Sequence, residues 1–455
     1  MTMTTNTTTI HNLLNNQYKP YANYDNQRSI PNLIDGLKIT QRKIIFTLLN
    51  KSMNNNDEIK VAQLASLTAG FTHYHHGEQS IGSVITTLAQ NFIGTNNFNL
   101  LQPIGQFGSQ LSPVPSAHRY IHTKLHQQNF YNFFHKDDDD ILIHNYEDNI
   151  QIEPKFYLPS IPGILINPSE AIGTGFASII LPRNIYEIKS FIINYLQNPK
   201  QNKKTLLPYY NNYNPSLIQQ DEQNPHKYIF NGEVNLNHKN YTITITQLPI
   251  NVYLPDIINH LNSLINNNTI TDYINNSTEN NYHITIKLLK SSPILDYDNN
   301  QLLKLLKLQN VITENLTCWI PNISNYSESS LIKFDNIHEL ITHFINIRLH
   351  FYQLRLDNLI EKNNNNIKNT KDKIDFIEFY LNNTQLLKNS NKNQIVNILN
   401  NHNINPNMLD MNIWNLTKDY INSLHAKLIS LNNIQQNLLN TNNTQLFIND
   451  LQSIT

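Results

Sequence analysis

A helical period runs almost unbroken from Ile337 to the C-terminus, and it limits the possible folds more than any other feature. Apolar residues recur at Leu340, Phe344, Ile347, Phe351, Leu354 and Leu359, then from Ile367 to Leu387. A second long periodic stretch covers Leu416 to Leu439. A helix of such length cannot bury its own apolar stripe, so it needs a partner of comparable length. Between the two stretches lies a short Leu-rich segment, Ile395 to Trp414. The pattern predicts two long antiparallel arms around a compact globule, a coiled coil ending in a dimer contact. A plain helical bundle is the simpler alternative.

A chain of 455 residues is too long for one core and suggests roughly two to four domains. Apolar content is low at 39%, and Asn is abundant, in runs such as Asn363 to Asn366. Such runs usually mark loops. Here they extend into periodic segments and read as the footprint of an AT-rich genome. The single cysteine, Cys318, excludes an internal disulfide and points to a reducing compartment. No apolar run approaches the length of a membrane span, and Thr-rich Met1 to Ile10 lacks the apolar core of a secretory signal. The net charge of −1 excludes a simple polycation that coats nucleic acid. Charge is nevertheless uneven: residues 1–135 hold nine Lys/Arg against five Asp/Glu, plus eight His. A locally basic module on a neutral chain suits phosphate contact on one face.

Residues 1–20 read as a flexible or partner-docking tail. From Arg28 the pattern turns helical, with Gly36 dividing it into two helices and Arg42 and Lys43 after the turn. On periodicity alone these two bases solvate a helix face. Val61 to Ala69 and Ser80 to Phe92 read as helices joined across Thr72-His-Tyr-His-His-Gly-Glu78. Two helices with a short joint near a basic segment suit a winged-helix or helix-turn-helix module. His75 and His76 could ligate a metal, but neither a Cys nor a spaced acid cluster completes a zinc site. Gly105, Gly108 and the prolines at 103, 113 and 115 predict an irregular, extended loop. Asp137 to Asp140 reads as a solvated turn, because four adjacent carboxylates cannot converge on one ion. Residues 151–335 read as α/β: a strand over Ile161 to Ile166, a Gly-bearing loop around Ile172, strands at Tyr241 to Thr246 and Tyr282 to Leu288, and a loop over Asn211 to Pro225. Ile172 by itself would be a core residue.

The irregular loop leads into Ser116-Ala-His-Arg-Tyr-Ile-His-Thr-Lys124. A phenol can act as a covalent nucleophile when a neighbour stabilises the charge that develops. Arg119, directly before Tyr120, is always protonated and matches phosphate geometry with its planar fork. The pair could therefore attack a phosphodiester, although a surface tyrosine is the ordinary reading of Arg-Tyr.

The neighbouring motifs narrow the choice. Arg28-Ser-Ile-Pro-Asn-Leu-Ile-Asp-Gly-Leu-Lys-Ile-Thr-Gln-Arg-Lys43, Tyr74-His-His-Gly-Glu-Gln79, Asn99-Leu-Leu-Gln-Pro-Ile-Gly-Gln-Phe-Gly-Ser109 and the tyrosine segment stand in one order. In that order they resemble the breakage–reunion core of type IIA DNA topoisomerases. The resemblance continues at Glu170-Ala-Ile-Gly-Thr-Gly175, Asn315-Leu-Thr-Cys318 and Ile413-Trp-Asn-Leu-Thr-Lys418, and so covers the chain from about Tyr21 onward. It implies an α+β multidomain fold. The parts would be a tail at 1–20, a winged-helix domain at 21–150 with the catalytic tyrosine, a tower at 151–335, and coiled-coil arms with a C-terminal gate at 336–455.

By the same resemblance Tyr120, Arg119 and His76 are catalytic. Arg28, Lys38, Arg42, Lys43, His75, Gln106 and Ser109 contact DNA, and Ile172 intercalates and bends it. The chain departs from the family at Gln110, where many relatives carry a base, at His118, where Ser or Pro is usual, and at Pro168 and Ala171, where Gly is usual. No metal-binding (TOPRIM) acid cluster or ATP phosphate loop is present in the sequence. The resemblance therefore assigns Mg²⁺ and ATP to a separate large subunit with ATPase and TOPRIM domains. This chain would be the cleavage subunit of a split enzyme, homodimeric through its C-terminal gate, acting on double-stranded DNA without a membrane. The nearest likeness is to a tailed-phage or viral medium subunit with eukaryotic-type motifs, placed in host cytoplasm, nucleus or a viral factory. Two alternatives are a bacterial enzyme of the gyrase type, for which the chain leaves no room for a DNA-wrapping domain, and a non-catalytic architectural DNA binder.

Overall fold

The computed structural model describes residues 9–50, 57–199, 205–279, 281–326, 328–384 and 391–454. The first eight residues of the expected tail and the end of the first arm, including Leu387, lie outside the described residues. The chain divides into two compact units. One comprises residues 1–136, 142–347 and 453–455, and the other 137–141 and 348–452.

Among the described residues the first unit starts with α1 (Ile10–Leu13), a π-helical turn (Leu14–Tyr18) and α2 (Lys19–Ser29), so residues 10–20 of the expected tail are helical. The segment after Arg28 holds one helix, not two. Residues 30–38 form turns, and α3 spans Ile39–Asn50. Gly36 adopts φ +68°, and its backbone packs against that of Gly163, where a Cβ would lie 2.2 Å from the Asp35 carbonyl oxygen. This close crossing explains why the apolar run at Ile161 to Ile166 is no strand. It is bent into a single 3₁₀ turn (Gly163–Leu165), with the Gly163 N–H donating to the Ile34 carbonyl at 2.9 Å.

After α3 come β1 (Ile59–Lys60), α4 (Val61–Phe71), α5 (Glu78–Ala89), β2 (Leu101–Ile104) and β3 (His122–Leu125). The three strands form an antiparallel sheet in the order β1-β3-β2. Ile44, Val61, Leu64, Ile81, Ile85, Leu88, Leu101 and Ile121 share one core beneath it. Pro103 sits in β2, an edge strand, where its missing N–H costs no ladder bond. Three helices under a small sheet make a winged-helix module.

Past α6 (Gln127–Phe133), β4 (His144–Glu147) and β5 (Ile150–Pro154) form one two-stranded ribbon, and β6 (Ser169–Gly173) and β7 (Phe176–Ile180) another. The helix α7 (Ile185–Gln197) follows. The expected loop at Asn211 to Pro225 contains a 3₁₀ turn and β8 (Ile218–Gln220), which pairs with β9 (Lys227–Asn231). A four-stranded sheet is built from β10 (Glu233–Asn237), β11 (Thr242–Gln247), β12 (Asp272–Asn275) and β13 (Ile284–Lys287). Alternate residues Ile243, Ile245, Ile284 and Ile286 face α8 (Leu254–Asn266), whose Leu254, Ile257, Leu261 and Leu264 recur at helical spacing. Then α9 (Asn299–Leu305) leads to β14 (Gln309–Thr313), which joins β9, and β15 (Thr317–Pro321) pairs with β16 (Ser329–Lys333).

The second unit takes in α10 (Ile337–Asn382) from Arg348 onward, with α11 (Lys392–Asn401), α12 (Lys418–Leu439) and α13 (Asn443–Ser453). The α10 and α12 helices run antiparallel. Asn363 donates to the Leu431 carbonyl at 3.0 Å and to Gln435 at 2.7 Å, while Ile374 and Ile377 share a core with Ile421 and Leu424. The Asn run is thus helical, and its first member is a buried cross-link. Asp137 to Asp140 is not a solvated turn either. It lies in a 3₁₀ helix, with buried Asp138 accepting from Arg348 at 3.0 Å. Arg355 donates to Asp450 at 2.6 Å and to Asp137 at 3.4 Å, and Lys362 pairs with Asp140. The arginine and lysine partners of this acidic run are more than 200 residues away in sequence, so spacing could not reveal them.

Candidate nucleic-acid interface

Tyr120 stands on a turn closed by its own N–H, which donates to the Ala117 carbonyl at 2.9 Å. The first N–H groups of a helix have no partner within the helix. Here those of α4 are used to hold this turn: Val61 N–H donates to the Ile121 carbonyl at 3.0 Å and Ala62 N–H to the His118 carbonyl at 3.2 Å. Ile121 is buried and anchors the turn, so the side chain before it points outward and Tyr120 is 67% exposed. The Arg119 guanidinium lies 4.9 Å from the centre of the tyrosine ring. The His118 imidazole packs on α5 at Gly82, where a Cβ would fall 2.3 Å from its Nδ1.

The outward face of α5 borders an open groove of about 720 Å³, lined by Arg28, Lys38, Ser80, Ser83, Thr87 and Ile172 among others. The serines and Thr87 follow helical spacing on α5, a polar stripe that the sequence already displays. Ile172 is 79% exposed near the tip of the β6–β7 hairpin, so it is not a core residue. Its neighbour Ala171 is buried against Ile30 and Trp319. The Lys38 ammonium donates to the Glu170 carbonyl at 2.8 Å. Burial pushes its pKa down, opposed by the charge of Glu170.

His75 and His76 lie just ahead of α5. His75 is exposed and pairs with Glu147 at 3.3 Å. His76 Nε2 is hydrogen-bonded to the Tyr24 hydroxyl at 3.0 Å and meets the Tyr74 ring edge-on. Desolvation, and then the positive charges of Arg28 and His75, hold its pKa below the ordinary histidine value, which favours the neutral imidazole near neutral pH. Gln106 and Ser109 shape the loop that leads to Tyr120. Gln106 Oε1 accepts from the Gly108 N–H at 2.9 Å, and Ser109 Oγ from the Leu111 N–H at 3.3 Å.

Two expected DNA contacts are corrected by the structure. Arg42 and Lys43 are buried on the core side of α3. Arg42 donates to Asp35 at 2.7 Å and to the Leu37 carbonyl at 2.6 Å. Lys43 donates to Glu153 at 2.9 Å and to the Thr72 carbonyl at 2.7 Å. The charge of each is paired inside the protein, Arg42 with Asp35 and Lys43 with Glu153. Lys43 instead supports the backbone that carries the histidines. Among the described residues, no three His, Cys, Asp or Glu side chains converge to hold a metal ion, and no helix is long and apolar enough to cross a membrane.

A winged helix with an exposed Arg-Tyr turn, beside a polar groove that holds Arg28 and Lys38 and an apolar wedge, is the mark of a nucleic-acid-handling module. The chain belongs to the family described as the A component of DNA gyrase/topoisomerase IV, which matches residues 28–452. It is 33% identical to mitochondrial DNA topoisomerase 2 of Dictyostelium discoideum over 98% of this chain and 35% of that one. It is 36% identical to DNA topoisomerase 2 of Bombyx mori over 79% of this chain and 23% of the relative. Among solved structures, the DNA-binding, cleavage and re-ligation domain of Plasmodium falciparum topoisomerase II superposes with a TM-score of 0.86 at 30% identity, covering 98% of this chain and 64% of that one. The chain spans about a third or less of the length of these curated relatives.

Proposed function

We propose that this chain is the DNA-cleavage component of an ATP-dependent type II DNA topoisomerase. The observation that carries the reading is the exposed Tyr120 hydroxyl on a rigidly held turn, with the Arg119 guanidinium beside its ring. In the proposed step the Tyr120 oxygen attacks a backbone phosphorus. The phenol proton is lost to solvent or a nearby base. The P–O3′ bond breaks, and the 3′ oxygen leaves as a hydroxyl after taking up a proton. The protein is left esterified to the 5′ phosphate, and the reverse attack reseals the strand, so no external energy is needed for either half. Arg119 stabilises the charge on the pentavalent centre, and His76, hydrogen-bonded to the Tyr24 hydroxyl, borders the phosphate. Two copies cut the two strands and a second duplex passes.

Mg²⁺ is expected to assist the leaving oxygen, but the described side chains of this chain do not fit it. Its ligands and the ATP site are assigned to a large partner subunit with TOPRIM and ATPase domains, as in a split phage or viral enzyme. Trp414, 88% exposed in the second unit, suits a C-terminal contact between two copies. The reading is tested by adding duplex DNA, Mg²⁺ and that partner, then denaturing. The enzyme leaves protein covalently attached to DNA, whereas an architectural binder leaves none.

Binding should be dominated by phosphate contacts and fall steeply with salt. Arg28→Ala is expected to reduce the slope of log K against log salt by about one. Arg42→Ala should leave the slope unchanged and destabilise the fold instead. Titrations at several salt concentrations check both. Ile172→Ala should keep stability within about 0.5 kcal/mol, since the side chain is exposed. It should still reduce DNA bending, read by energy transfer between labelled duplex ends, because a wedge at a base step is what kinks the duplex.

A further inference from the structure

We propose that α2 is a two-ended positioning element: Asp25 and Asn26 set the stance of the hairpin that carries Ile172, while Tyr24, the residue just before them on the same helix, sets the His76 ring. The proposal rests on the cleavage reading above and adds to it three residues that lie outside the sequence motifs.

A two-stranded ribbon alone is marginally stable, and β6–β7 is a two-stranded ribbon tied at its far end from the tip by the Ile179–Asn315 bridge. Its tip is therefore rigid only if something outside it holds the turn. Asp25 Oδ2 accepts both from the Thr174 N–H at 2.9 Å and from the Thr174 hydroxyl at 2.7 Å. Asn26 Nδ2 donates to the Thr174 carbonyl at 3.1 Å. Three bonds from two adjacent helical residues thus fix one turn residue. Asn26 is buried, and its Oδ1 lies so near Gly173 that a Cβ there would be 2.2 Å away. A side chain at 173 would displace the Asn26 amide, so the glycine lets the helix and the hairpin tip touch. The Asn26 carbonyl also accepts from the Trp319 indole at 2.9 Å, which locks this point of the helix to β15. At the base of the ribbon Lys38 holds the Glu170 carbonyl. Ile172 therefore projects from a hairpin clamped on either side of it.

The other end of the linkage is the Tyr24 hydroxyl on His76. Consecutive helical residues point in different directions, so Tyr24 can face the histidine loop while Asp25 and Asn26 face the hairpin. A duplex wedged open at Ile172 pushes on Thr174, and through it on the helix that orients His76. DNA bending and the arrangement of the cleavage site are then coupled through a few hydrogen bonds.

The test uses the full assembly and three readouts: binding by fluorescence anisotropy, bending by energy transfer between duplex ends, and detergent-trapped covalent complex. Each is measured on an intact duplex and on one made flexible by a central gap. Asp25→Ala should bind within about twofold of the parent, bend the intact duplex less and yield about tenfold less covalent complex on it. On the gapped duplex its yield should return to near the parental level, which a merely misfolded protein would not do. Asp25→Asn, which keeps an acceptor oxygen, should recover part of the loss, and Thr174→Val, which leaves α2 untouched, should shift in the same direction. Tyr24→Phe should bend normally yet cleave less on both duplexes. If Asp25→Ala bends and cleaves like the parent, or is equally impaired on the gapped duplex, the proposal fails. If the parent itself yields no covalent complex, the cleavage reading fails, and the bending of Asp25→Ala and Thr174→Val still decides the hairpin clamp.

Discussion

Tyr120→Phe is expected to abolish the covalent protein–DNA complex while leaving binding within about twofold of the parent. The substitution removes one oxygen and nothing else. The ring stays in place for Arg119, and the turn is held by backbone bonds that do not involve the side chain. Loss of a covalent nucleophile costs on the order of 10⁴-fold or more, because no other group can form the intermediate. Arg119→Ala should be milder, about 10²- to 10³-fold, the usual cost of removing one charge-stabilising donor. The comparison separates chemistry from positioning: denaturing gels report the adduct, and anisotropy without Mg²⁺ reports binding. Residual cleavage by Tyr120→Phe at even a tenth of the parental level would remove Tyr120 from its role.

Glu314→Ala is expected to destabilise the first unit by about 3–5 kcal/mol, the cost of leaving a buried charge without its partner. Arg183 is fully buried and donates to both Glu314 oxygens, at 2.8 and 3.1 Å. Glu314 also accepts from the Leu181 N–H at 2.9 Å. The remaining guanidinium donors go to the Leu206 carbonyl at 2.8 Å and the Leu181 carbonyl at 2.7 Å. The pair pins the chain just after β7 to the chain just after β14, next to the Ile179–Asn315 bridge. The removal of Glu314 strands the guanidinium in a site that water does not reach. Replacement of both residues by apolar side chains of similar volume should recover most of the loss. Hydrogen exchange at β7 and β14, with the midpoint of chemical unfolding, checks the expectation. A shift below about 1 kcal/mol for the single variant would show that the site can relax or hydrate.

What is legible in the sequence follows from how local each signal is. The long arms are readable because a helical stripe is a local pattern, and the same holds for α4, α5, β11 and β13. The exposure of Tyr120 is readable because the Gly- and Pro-rich stretch before it predicts an irregular loop. Arg42 and Lys43 read wrongly as surface bases because their acids are structural partners supplied by the fold. Glu153 is 110 residues from Lys43, and only Asp35, seven residues before Arg42, lies within local reach. Asp138 misleads for the same reason, with Arg348 lying 210 residues on. Ile172 has the composition of a core residue. It is exposed because the strand alternation of β6 buries Ala171 and turns the next side chain outward. The helix at the N-terminus is hidden because Asn-rich polar helices such as α2 have almost no amphipathic pattern, and α2 is held by specific bonds from Asp25 and Asn26. The clamp on the hairpin is out of local reach, since Thr174 lies 149 residues beyond Asp25.

The most direct measurement is the chemical identity of the adduct. Complexes formed with duplex DNA, Mg²⁺ and the proposed ATP-hydrolysing partner are trapped with detergent, digested with nuclease and protease, and sequenced by mass spectrometry. The account predicts a nucleotide joined through its 5′ phosphate to the peptide containing Tyr120, and to no other tyrosine. An adduct on Tyr131 or Tyr146, or a 3′ linkage, would contradict it.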